Sequence, residues 1–223
     1  MNSNFWLLEP PANQPRAEDT PGTKYATIIC PAHDGHRRAG DRLADISVLV
    51  HPSGARDFTW TWYNEVLISE RVLDIFEKNH VTGFETRPAR VAYPDKIKAR
   101  PPHLFELVVT GWGGLAAPTA GLTLVESCPA CGHKTYTIAE PSRAIDATAW
   151  DGSDLFIVWP LPSFRFASDR LASIIRQESI SGVKLILAPE IPLERGDGLS
   201  PGPLASSMPK KRACELEKRF GIS

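Results

Sequence analysis

At 223 residues the chain is long enough to bury a core without covalent or metal help, and its 42% apolar and 23% charged content is that of an ordinary globular protein. The formal net charge of −1 argues against a general nucleic-acid binder and equally against a strongly acidic nucleic-acid mimic. No apolar run approaches the roughly 18 to 20 residues of a membrane span, the opening Met1-Asn2-Ser3-Asn4-Phe5-Trp6-Leu7-Leu8 has no cationic n-region, and four cysteines are too few for a secreted disulfide scaffold, so a cytoplasmic protein is expected.

Residues 9–23 form a Pro-rich polar stretch and read as loop. Lys24 to Ile29 leads into a short knuckle, Cys30-Pro31-Ala32-His33. Asp45 to Val50 and Phe58 to Trp62 read as strands around a turn at Pro52-Ser53-Gly54, and Val66-Leu67-Ile68 is a short apolar strand. Ser69 then caps a helix with Glu70 at its positive end and Val72, Ile75 and Phe76 on one face. Residues 86–103 are rich in Pro and basic side chains and read as a connector, Leu104 to Thr110 as a strand, and Gly111-Trp112-Gly113-Gly114 as a turn or bulge.

Leu122 to Val125 is a strand that runs into a second knuckle, Cys128-Pro129-Ala130-Cys131-Gly132, with another strand at Lys134 to Ile138. Beyond it the earlier pattern returns. Leu155 to Trp159 is apolar, Phe164-Arg165-Phe166 alternates, Ser168 caps a helix with Leu171, Ile174 and Ile175 on one face, and Gly182 precedes a strand at Val183 to Leu187. Aligned without gaps, Ser69-Glu70-Arg71-Val72 falls on Ser168-Asp169-Arg170-Leu171 and Val81-Thr82-Gly83 on Ile180-Ser181-Gly182, at an offset of 99 that also carries Trp60 onto Trp159. The knuckles are offset by 98. This register implies an internal duplication. The expected fold is α+β: duplicated strand-helix-strand units, mostly antiparallel sheet, and two zinc knuckles. Residues 1–188 make one duplicated domain, with halves at about 24–91 and 122–188. Residues 189–223 make a Pro/Gly-rich tail, with a short helix over Lys210 to Phe220 that has Ala213, Leu216 and Phe220 on one side.

Two C-x-x-C/H pairs can supply four ligands to one tetrahedral zinc. Cys30, His33, Cys128 and Cys131 are the predicted ligands of a structural Zn²⁺. His33 is favoured over the nearby His36 because it keeps the two-residue spacing. Asp34 stands where a knuckle glycine is expected, and Gly35 follows one position late. Such a site assembles only when both halves are folded, so metal binding and folding should be coupled throughout the domain. A Cys128/Cys131 dithiol and a metal-free remnant are the competing structural readings. A catalytic zinc is disfavoured, because Ser127 precedes Cys128, no H-x-E lies upstream, and four protein ligands leave no open coordination position. No P-loop, G-x-G-x-x-G, H-E-x-x-H or G-x-S-x-G occurs, and no enzyme activity is expected. Trp60, Trp62, Tyr63 and Trp112 read as core and sheet packing rather than as a base-stacking platform, since no basic cluster accompanies them. Cys214 is expected to be a free thiol.

The Phe/Trp-bearing first strand, the two knuckles and the closing Ser-Asp-Arg helix together resemble the double-CXXCG-motif proteins of bacteria, best represented in myxobacteria. That group includes immunity proteins of contact-dependent toxin systems. The resemblance spans about residues 5–188. It maps the family's cysteines onto Cys30, Cys128 and Cys131, with His33 at the remaining one. It implies a protein that binds and neutralises a cognate toxin on a zinc-stapled scaffold. The alternative is a zinc-ribbon module that binds nucleic acid or a regulatory protein.

Overall fold

The computed structural model describes residues 4–222. In chain order the strands and helices are β1 (Phe5–Glu9), β2 (Glu18–Asp19), β3 (Tyr25–Ile28), β4 (Arg38–Arg42), β5 (Ile46–Leu49), β6 (Phe58–Trp60), β7 (Val66–Ser69), α1 (Glu70–Lys78), β8 (Phe84–Ala92), β9 (Leu104–Val109) and β10 (Gly111–Leu115). They continue with β11 (Leu122–Ser127), β12 (Lys134–Ile138), β13 (Leu155–Trp159), β14 (Leu161–Ser168), α2 (Asp169–Gln177), β15 (Lys184–Leu187) and α3 (Lys210–Phe220). A six-stranded sheet has the order β2-β5-β8-β9-β7-β6, and a five-stranded sheet the order β10-β13-β14-β1-β15. Two separate ribbons, β3-β4 and β11-β12, carry the knuckles. Pairing is antiparallel except for β5 with β8 and β10 with β13, so the expectation of mostly antiparallel sheet is met.

Within the two large sheets lie two four-stranded units of the same form, β6-β7-β9-β8 and β13-β14-β1-β15. Leu104 of β9 sits opposite Ser69, and Phe5 of β1 sits opposite Ser168. The offset of 99 therefore reaches back to the first strand, well before residue 24. It also shows an exchange. β1 precedes the first helix unit in sequence but pairs in the second unit's sheet, while β9 precedes the second unit and pairs in the first.

The helices are equivalent down to their caps. Ser69 Oγ accepts from the Val72 amide at 3.3 Å and Ser168 Oγ from the Leu171 amide at 3.2 Å, each satisfying an otherwise orphaned first-turn donor. Asp57 accepts from the Ser69 hydroxyl (3.1 Å) and Arg71 (2.9 Å) of its own unit, and from the backbone and hydroxyl of Ser181 in the other (both 2.9 Å). Asp154 does the same with Ser168 (2.9 Å), Arg170 (2.5 Å) and the backbone and hydroxyl of Thr82 (3.0 and 3.1 Å). Arg71 reaches on to the Glu178 carbonyl at the end of α2, and Arg170 to the Asn79 carbonyl at the end of α1. Gly83 and Gly182 have φ of +86° and +79°, and a Cβ there would lie 2.0 Å from the Leu155 carbonyl oxygen and 2.1 Å from that of Phe58. Only glycine permits these reciprocal crossings.

The main core lies between the units and is filled from both. Phe58, Trp60, Ile68, Val72 and Phe76 meet Leu155, Ile157, Ala167, Leu171 and Ile175. Ile174 is buried, and Ile75 is partly buried against the same core. Each large side chain withdrawn from water contributes about 1.5–3 kcal/mol. Two further clusters cover the outer faces, one around Phe156, Phe164 and Phe166 and the other around Ile46, Val48, Leu67 and Leu104.

Three segments depart from the sequence reading. Gly111-Trp112-Gly113-Gly114 belongs to strand β10 and is not a turn, although its pairing with β13 shifts register between Trp112 and Leu115 as a bulge would. A Cβ at Gly113 would lie 2.6 Å from the Phe156 ring, so the glycines allow the strand to press against that side chain. The first part of the 86–103 connector is β8. Pro88 is tolerated there because it lies at the handover between the β9 pairing, which ends at Pro88, and the β5 pairing, which begins at Ala89. Residues 189–209 are irregular, yet Ile191, Leu204 and Met208 are buried in the clusters. The helix over Lys210–Phe220 forms, with Ala213 and Leu216 buried and Phe220 against Trp112. No helix among the described residues is long and apolar enough to cross a membrane.

Candidate metal centre

Each knuckle crowns one ribbon. Cys30 follows β3, and Cys128 and Cys131 lie between β11 and β12. The second knuckle closes by hydrogen bonds from Gly132 N to the Cys128 carbonyl (2.9 Å) and from Cys128 N to the His133 carbonyl (2.8 Å), with Gly132 at φ +68°. The first knuckle takes another path. Without glycine at position 34 the chain enters a 3₁₀ turn at Asp34–His36, closed by His36 N to the His33 carbonyl at 3.1 Å.

That turn decides which histidine joins the cysteines. Cys30, His36, Cys128 and Cys131 bring their three sulfurs and one ring nitrogen within 4.8 Å of one another. His33, the residue favoured by spacing, stays outside as an exposed ring whose centroid is 4.9 Å from that of His36. The first candidate ligand pair is therefore Cys-x5-His.

The distances discriminate between a disulfide and a metal. Cys30 Sγ and Cys128 Sγ are 3.7 Å apart, and Cys131 Sγ is 3.8 Å from His36 Nδ1. A disulfide requires about 2.05 Å. Four ligands at the usual zinc bond lengths span tetrahedral edges of about 3.6–3.8 Å. All four cysteines are free thiols, and Cys214 is exposed and far from the cluster in sequence. Cys30 and Cys128 are 4% and 5% exposed, while Cys131 is half-buried.

Neighbouring groups tune the ligands. Burial pushes the Cys30 thiol up. Burial acts the same way on Cys128 and Cys131 but is outweighed there. Cys128 is lowered by the hydrogen bond with His36 and by backbone N–H groups of Ala130 and Cys131. Cys131 is brought down to about 6 by the Arg38 guanidinium, the His133 backbone and contacts with Cys30 and His36. Arg38 donates to the Cys131 sulfur at 3.5 Å and to its carbonyl at 2.7 Å. Two thiols are thus predisposed to the thiolate form that metals bind. The far nitrogen of His36, Nε2, lies 2.8 Å from Glu126 Oε1, and the His36 ring stacks on His133 at 4.3 Å. A carboxylate on the distal nitrogen leaves Nδ1 free to ligate. Arg38, Glu126 and His133 carried no sequence prediction; the run Cys131-Gly132-His133 was the one signal that could have drawn attention to His133.

The aromatic group divides. Trp60 and Trp112 are buried as expected, but Trp62 and Tyr63 are 71% and 77% exposed at the turn after β6. No protein-family model matches the chain, and no curated protein matches it.

Proposed function

We propose that this chain is a non-enzymatic immunity-type protein that binds a cognate bacterial toxin in the cytoplasm and blocks it by protein–protein contact. In this reading a structural Zn²⁺ held by Cys30, His36, Cys128 and Cys131 ties the two ribbons together, and the two units are products of one duplication. The observation that carries the scaffold part is the closed ligand set. Three sulfurs and an imidazole nitrogen within 4.8 Å of one another suit zinc, and four protein ligands would leave no coordination position for a reacting water. The immunity part rests on the resemblance of the two knuckles and the repeated Ser-capped helices to double-CXXCG proteins. The exposed pair Trp62 and Tyr63 supplies the aromatic anchors that protein interfaces favour, within a contact area of about 1,200–2,000 Å².

The test is co-expression with the product of the adjacent toxin gene, followed by purification and metal analysis. A stable complex with one zinc per chain is expected. The Trp62→Ala/Tyr63→Ala double variant should bind at least about tenfold more weakly with an unchanged melting temperature. No complex, or one indifferent to both residues, would remove this reading.

A further inference from the structure

A cavity of about 580 Å³ lies beside β9 and β14, away from the cysteines, and is lined by Asp19, Tyr25, Arg42, Glu65, Glu106 and Arg165 among others. Its size is that of a small-molecule site. At the equivalent place in the other unit is a smaller cavity of about 330 Å³, and Asn64 and Ser163 line both.

The two places differ in chemistry. Glu65, Glu106 and Arg165 stand at the positions that Phe164, Leu7 and Val66 hold in the other unit. Those three apolar side chains are buried. The scaffold can therefore fill these positions with hydrocarbon and does so once. On the other side it carries three ionisable groups around open space.

Most of these charges are satisfied within the protein. Arg42 holds Glu106 with two bonds at 2.6 and 3.2 Å, and Tyr25 donates to Glu65 at 2.6 Å. Two are not. Asp19 Oδ1 is buried and accepts no hydrogen bond. Arg165 donates to the Ser163 carbonyl at 3.3 Å and lies over the Trp60 ring at 5.9 Å, and no ion pair to it is found among the described residues. Burial, reinforced by Glu65 and Glu106 against the opposing Arg42, pushes the Asp19 carboxyl up to about 6. Burial, against the opposing pull of Glu65 and Glu106, brings the Arg165 guanidinium down to about 10. Asp19 and Arg165 thus line the cavity with no direct ion-pair partner among the described residues. Desolvated charges of this kind are costly without a partner.

We infer that this cavity is a binding site for a small zwitterion of the amino-acid or short-peptide class, with the ligand's carboxylate on Arg165 and its ammonium on Asp19. This cavity lies apart from the cysteine cluster and borders the proposed toxin-contact face, since Tyr63 lines it.

The test uses the full metal-loaded chain, with the free amino acids and the dipeptide Gly-Gly as probes, followed by ligand-observed NMR and thermal shift. At least one zwitterion is expected to bind. Its N-acetylated and amidated forms, each lacking one charge, should bind at least about tenfold more weakly. Arg165→Val installs the residue the other unit uses, so it should keep or raise the melting temperature while abolishing binding. Asp19→Asn, nearly isosteric, should weaken binding at least about tenfold and serves if the first variant fails to fold. Absence of binding by every zwitterion up to about 10 mM, about tenfold above the ~1 mM dissociation constant of a weak specific site, would overturn the inference. So would equal binding of the capped forms, or unchanged affinity in both variants.

Discussion

Two histidines three positions apart are separated in role by a single turn of backbone. Cys128 and Cys131 were legible because C-x-x-C spacing is a direct statement about reach, and Cys30 because it opens the same Cys-Pro-Ala phrase. His36 was not, because its approach depends on the 3₁₀ turn that Asp34 enters where glycine would have closed a knuckle. The expected outcome of His36→Ala is a loss of zinc affinity larger than the ten- to hundredfold that removal of a supporting carboxylate costs, whereas His33→Ala should leave affinity unchanged. Competition with a fluorescent chelator measures both. Equal effects from the two would return His33 to the ligand set. Glu126→Gln should fall between them, since it leaves the ligand in place but removes the carboxylate on its far nitrogen.

The caps and stop signals of α1 and α2 were readable residue by residue, and so was the register that relates them. The crossings were not readable: that Asp57 reaches Ser181, and Asp154 reaches Thr82, follows from the packing of one unit on the other. Nor was β8, whose Pro88 and basic residues disguised a strand shared by two partners. The strand exchange was equally hidden, because alternation shows that β1 and β9 are strands but not which neighbour each will choose. Asp154→Ala and Asp57→Ala should each destabilise the fold by about 2–4 kcal/mol, as removal of one member of a hydrogen-bonded buried cluster does. Asp154, at 7% side-chain exposure against 16% for Asp57, should give the larger loss in urea denaturation. For Asp57 the pH dependence has a definite sign. Burial alone would raise its carboxyl, but Ser181, Ser69 and Arg71 outweigh burial and hold it below the ordinary range. Its stabilisation is therefore complete above pH ~4 and is lost as pH falls through the depressed value. A wild-type minus Asp57→Ala difference that did not shrink in acid would contradict this.

Over the whole molecule, the proposed metal and the apolar core would hold different parts. The ribbons keep little apolar surface from water: Leu122, Leu124, Val125 and Ile29 are all exposed, while the main core is filled by the two units and the C-terminal segment. Chelation should therefore raise hydrogen exchange first in residues 25–42 and 122–138, with the large sheets remaining protected. Uniform loss across both sheets would instead favour the domain-wide coupling that the sequence implied. β1 also sets the order of events during synthesis. It leaves the ribosome about 150 residues before either β14 or β15, the strands on its two sides, has been made. At the usual 5–20 residues per second this is on the order of 10–30 s during which a Phe-Trp-Leu-Leu segment has no native strand to join. The nascent first half thus lacks its own leading strand as a partner and cannot borrow β9 until translation has passed residue 109. A ribosome stalled midway would hold a sheet with a missing member and an apolar strand with nowhere to go, which makes this N-terminal stretch the natural handhold for a chaperone.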